Sequence, residues 1–212
     1  MTKTIQALIK GHFIKNLFLY IIIILSLTVG ISTGAFTVNA LSDSQTDELF
    51  TYIQDFFYIL NAQDINNTEL FKLSVFNNIK TLLILWFLGI TIIGIPFILL
   101  IIGIKGFVIG FTVGFLIKSL NFKGIVFTFL GILPQNLIII PCYIVLGITC
   151  INFSLSMIRN KVKTKYRKEN IKTQFFSYST FVILTFCLLT IGSIVEAYIT
   201  PVFIKSITQV FI

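Results

Sequence analysis

GFVIGFTVGFLIKSLNFKGIVFTFLGILPQNLIIIP, residues 106–141, is almost wholly apolar and therefore belongs in lipid. It is an unusual way to write a plain membrane anchor. Gly106, Gly110 and Gly114 recur at every fourth residue and so lie along one helix face. In a bilayer, where lipid tails are as apolar as the side chains, such a face lets a second backbone approach closely. Farther on, Pro134 and Pro141 bracket the polar pair Gln135 and Asn136. Proline withdraws a backbone donor and crowds the preceding turn, and the freed groups need polar partners such as Gln135 or Asn136. The stretch predicts a packing face followed by a helix break, within an all-α integral membrane protein.

Composition agrees: 56% of the 212 residues are hydrophobic, 11% are charged and 23 are Phe, which excludes a soluble domain. A net charge of +8 suggests nucleic-acid binding in a soluble chain, but here the basic residues flank apolar runs and report topology, so no nucleic-acid partner is expected. Cys142, Cys150 and Cys187 fall inside apolar runs and read as small buried hydrophobes.

Before the glycine face, LLILWFLGITIIGIPFILLIIGI (82–104) reads as one span closed by Lys105, with Pro96 predicting a kink near its middle. Only Lys105 separates it from the glycine helix over 106–120, so a tight hairpin is expected there. That helix, about 15 residues or roughly 22 Å, is short, and it either crosses or is re-entrant. Lys118 and Lys123 at its far end run against the positive-inside rule.

After the glycine face, residues 125–158 carry no charge and are expected as a segment broken at Pro134, with a full span from about Leu137 to Met157. The break either lines a substrate or ion site or is static architecture. Residues 159–172 hold seven of the sixteen basic residues and one acid, which marks a cytoplasmic loop that also suits anionic lipid headgroups. The last span, 175–199, carries Glu196 near its outer end. An intramembrane acid is a functional candidate, and its alternatives are snorkelling or a hydrogen bond to a neighbouring helix.

Toward the N-terminus, a basic head with Lys3, Lys10, Lys15 and His12 precedes an apolar run over 17–38 containing Gly30 and Gly34. A signal peptide has this order too, but about 22 apolar residues match an uncleaved span with a cytoplasmic N-terminus. Residues 39–80 hold six of the eight acids and form the external loop. Ser42 with Gln45, and Ser44 with Asp47, fit a capping box, after which Leu49, Ile53, Phe56 and Leu60 recur at helical spacing. The greasy face of this helix either rests on the bilayer or bundle, or docks an external partner. The sum is a single polytopic domain over 1–212 with five spans and no internal repeat.

The sequence has no metal-site spacing, Ser/His/Asp set, paired intramembrane carboxylates or phosphate loop, so neither a cofactor nor catalysis is expected. Two classes remain. A scaffold needs packing faces alone, whereas a small-solute or lipid transporter or channel would use the broken helix near Pro134–Pro141 and would favour inverted repeats and polar residues converging at mid-membrane.

KGFVIGFTVGFL followed by LPQNLIIIP, the acidic loop after a first span and the basic loop after the fourth resemble the stage II sporulation protein M family over essentially the whole chain. The resemblance implies a five-span protein of the mother-cell membrane, active at the septum during engulfment, in a complex with stage II sporulation proteins D and P. Those partners degrade septal peptidoglycan, and this protein recruits or holds them. On that expectation the glycine face fixes the bundle or a homodimer seam, and the loop over 42–80 receives the hydrolases.

Overall fold

The computed structural model describes residues 16–62, 66–162 and 170–211, with side chains over 16–55, 66–160 and 170–205. Among these residues there is no strand, and five helical segments are long and apolar enough to cross a membrane. The chain is an all-α, multi-pass membrane protein, as it must be when hydrocarbon offers backbone groups no other partner. In order, α1 (Leu17–Thr37) runs through a short 3-10 turn into α2 (Asp43–Ala62). The next two helices are α3 (Asn67–Ile90) and α4 (Gly94–Leu120). Then α5 (Phe122–Phe127) passes through a π-helical turn (Thr128–Ile132) into α6 (Leu133–Val162). Last, α7 (Ile171–Ile194) passes through a second π turn (Val195–Ile199) into α8 (Thr200–Phe211).

Contacts distant in sequence define two ends. Asn152 Nδ2 donates to Asn16 Oδ1 at 3.0 Å and Ser154 Oγ to the Thr91 carbonyl at 2.5 Å, so the start of α1, the α3–α4 turn and the end of α6 meet at the basic-loop end. At the opposite, acidic end, Ile53 of α2 packs on a small cluster of Leu116, Phe127 and Ile204. There too Lys118 Nζ donates to the Val38 carbonyl at 2.9 Å. A cation on the last carbonyls of α1 is favourable, which gives Lys118 a local reason to sit at this end.

Several expected boundaries move. α3 begins fifteen residues before Leu82, capped by Asn66 Oδ1, which accepts from the Glu69 amide at 3.3 Å. It ends at Ile90, so 82–104 is not one helix. The turn lies at Thr91–Ile93, and Gly94 is needed there because a Cβ would meet Thr91 Oγ1 at 2.8 Å and overlap the Leu88 carbonyl. Pro96 consequently falls in the first turn of α4, where no donor is required, and not at mid-span. The hairpin at Lys105–Gly106 does not exist. Residues 106–120 are the second half of a 27-residue helix, roughly 40 Å long and a full crossing, neither short nor re-entrant.

Nor is the chain unwound at Pro134. The π turn just before it widens the helix where the proline ring would crowd the preceding carbonyls, and Asn136 Nδ2 caps the Ile132 carbonyl at 2.8 Å. Gln135 and Pro141 both lie within the continuous α6. The Ser42–Gln45 box forms in both directions, at 3.1 and 3.4 Å, while Ser44 sits inside the first turn of α2. Cys142 and Cys150 are buried, but Cys187 is exposed on the outer surface of α7.

The main core gathers Ile23, Leu85, Ile98, Leu146 and Leu189 from all five spans. Alongside it, α1 and α4 run parallel with their backbones touching. A Cβ on Gly106 would overlap the Leu27 carbonyl and one on Gly110 the Ile31 carbonyl, while one on Gly114 would lie 3.2 Å from Ala35 Cα. From the other side, Gly30 and Gly34 abut the Gly103 and Phe107 carbonyls, and Ser26 Oγ donates across to the Leu99 carbonyl at 2.7 Å. This face is covered by the chain's own first span and is not left for a second copy.

Candidate functional site

The helices that carry the packing face also carry a charge. Lys105 lies eleven residues into α4, roughly 17 Å along it and near its middle. A lysine at such depth is expensive unless it faces protein or a polar cavity. Its Nζ sits 5.3 Å from the centroid of the Tyr143 ring on α6. Both residues border a cavity of about 450 Å³ between α3, α4, α6 and the second π turn. Ser74, Asn77, Gln135, Asn136 and Glu196 border it too.

Hydrogen bonds tie these walls together. Tyr143 Oη donates to Asn78 Oδ1 at 2.9 Å, and Asn78 Nδ2 donates to Ser193 Oγ at 2.9 Å, which joins α6, α3 and α7 through three buried side chains. One turn nearer the acidic end, Ser74 Oγ donates to Glu196 Oε2 at 2.6 Å. A contact this short to a carboxylate is charge-assisted and stronger than a neutral one. Beyond it, Thr200 Oγ1 donates to Gln135 Oε1 at 3.1 Å. Glu196 lies in the second π turn, whose added residue shifts the register between α7 and α8. Lys105 and Glu196 thus face one cavity from different helices without an ion pair between them.

The residues singled out from sequence divide among three places. Gly106, Gly110 and Gly114 lie on the α1 seam. Gln135 and Asn136 border the cavity, and Pro141 is exposed on α6 away from it. Leu49 is half-buried, and Ile53 packs on the small cluster, so that part of the greasy face of α2 is turned to the bundle. The side chains of Phe56 and Leu60 lie outside the described residues. The opposite face of α2 presents Asp47, Glu48, Tyr52 and Asp55 to the outside, with Tyr52 72% exposed. Sequence reasoning missed Ser74, Asn78, Tyr143 and Ser193, and read Lys105 as the end of a helix. A lone charge within an apolar run of this length was the available signal. Among the described residues no group of three His, Cys, Asp or Glu side chains has the geometry to hold a metal ion.

A family model described as stage II sporulation protein M matches residues 17–201, from the start of α1 into α8. No curated protein and no solved structure matches the chain.

Proposed function

The chain belongs to the stage II sporulation protein M family and so has a role in sporulation, and we propose that it acts there as a non-catalytic membrane scaffold. In this reading it recruits or holds peptidoglycan hydrolases, the stage II sporulation proteins D and P, at the septal membrane of the mother cell during engulfment. Hydrolysis belongs to the partners. The observation that carries the reading is the family match over all five spans, and the form of the acidic end supports it. There α2 is anchored through Ile53 and turns acids and Tyr52 outward. An anchored helix with a free polar and aromatic face suits an external partner better than the half-covered greasy face does.

The test is co-purification of the tagged, detergent-solubilised protein from sporulating cells, with the hydrolases followed as fluorescent fusions when it is depleted. Hydrolases that co-purify and lose their septal position are the expected result. A protein that purifies alone, with hydrolases still in place, would overturn the scaffold. A second reading, movement of a small solute or lipid through the bundle, has one observation in its favour: polar side chains of four spans converge on the cavity. It no longer draws on a backbone break at Pro134.

A further inference from the structure

We propose that the cavity between α3, α4 and α6 binds the headgroup of an ethanolamine-type, zwitterionic phospholipid from the leaflet at the acidic end. The phosphate meets Lys105 and the primary ammonium meets Glu196. This goes beyond the scaffold and transport readings and depends on neither.

Three observations carry it. The first is charge: the cavity holds one cation and one anion on different helices with no direct ion pair between them, and a ligand carrying both charges can sit between the two where an ion of either sign meets only one.

The second is order along the membrane normal. α3 runs from the acidic end inward, so Asn78 lies one turn deeper than Ser74; likewise Ser193 lies deeper than Glu196. Tyr143 bonds to Asn78, and Lys105 lies over the Tyr143 ring. Lys105 is thus tied to the layer of Tyr143 and Asn78, one turn deeper than the Ser74 layer that holds Glu196. A phospholipid of that leaflet presents its charges in the complementary order, with phosphate next to the acyl chains and ammonium nearer to water.

The third is the wall. Ile104 and Val108 border the cavity and are 52% and 55% exposed on the outer surface of α4. That apolar rim gives acyl chains a way back into the bilayer, which a water-soluble zwitterion would not need. The oxygens of Glu196 and the side-chain amide carbonyls can accept several N–H bonds, so a primary ammonium fits and a trimethylated one, with no N–H, does not.

The experiment uses the purified full chain, delipidated and offered equal amounts of phosphatidylethanolamine, phosphatidylcholine and phosphatidylglycerol, with bound lipid read by native mass spectrometry. Retention of phosphatidylethanolamine about tenfold above the other two is expected, the loss that follows when one charge-assisted contact is missing. Glu196→Gln should abolish the preference over phosphatidylcholine. Lys105→Gln should lower phosphatidylethanolamine retention, and Lys105→Arg should restore it. Val108→Trp, at an exposed position that leaves the core untouched, should block the rim and release the lipid. Equal retention of the three lipids, or wild-type retention by Glu196→Gln and Val108→Trp, would overturn the proposal. So would thermal stabilisation by soluble phosphoethanolamine with none from the lipid, which would assign the site to a free zwitterion.

Discussion

Gly110 shows how much one hydrogen atom decides in this bundle. Its Cα faces the Ile31 backbone so closely that any side chain would overlap a carbonyl, and backbone cannot swing aside as a side-chain tip can. Gly110→Leu should therefore push α1 from α4, at a cost above the ~1–3 kcal/mol typical of overpacking. The expected outcome is a large fall in membrane accumulation and in the thermal transition in detergent. Gly131→Ala is the matched control: its nearest neighbours are Cγ1 and Cδ1 of the Ile204 side chain at 3.4 and 3.5 Å, ordinary contacts, and near-normal accumulation is expected. The fourfold glycine spacing was legible in the sequence, since periodicity is a local property. Its partner was not, because Gly30 and Gly34 lie some seventy residues earlier and nothing local says which helix meets which.

At the scale of elements, α2 is held to the bundle by a small contact. Ile53 rests on Leu116, Phe127 and Ile204, a cluster separate from the main core. Ile53→Asp should release α2 while the five spans stay inserted. Hydrogen exchange across residues 43–62 should then accelerate, and Tyr52→Ala, on the exposed face, should leave exchange unchanged. Unaltered exchange in Ile53→Asp would mean that the contact does not hold the helix. Residues 67–81 show where element reading from sequence goes astray. Their Lys, Asn and Ser content resembles a loop, yet Ser74 and Asn78 fall on the same buried face as Leu82, Leu85 and Gly89, and the helix runs through all five. The polar residues there face hydrogen-bond partners on α6 and α7. Pro134 misleads in the opposite sense, because a π turn accommodates it without breaking the helix.

For the whole molecule, the paired ends make a topological prediction. The α3–α4 turn at Thr91–Ile93 lies beside Ser154 and shares the basic-loop end, so it belongs on the cytoplasmic side. In a variant with the native cysteines replaced, Gln45→Cys and Asn121→Cys should react with an impermeant thiol reagent from outside. Ile92→Cys and Thr173→Cys should react only after permeabilisation. Outside labelling at position 92 would invert α3 and α4 and disprove the five-crossing arrangement.

Composition and hydropathy, read along the chain, determined that this is a helical membrane protein with a glycine-lined packing face, an acidic end and a basic end. They could do so because partitioning into lipid sums over a local window and the positive-inside bias counts charges near apolar runs. Only the tertiary structure decided that residues 94–120 form one crossing, that the glycine face is covered by α1, and that Lys105, Tyr143, Asn78 and Glu196 border one cavity. The physical reason is that a polar group in a span is costly or harmless according to what it faces. What it faces here is supplied by helices 38 to 122 residues away in the chain.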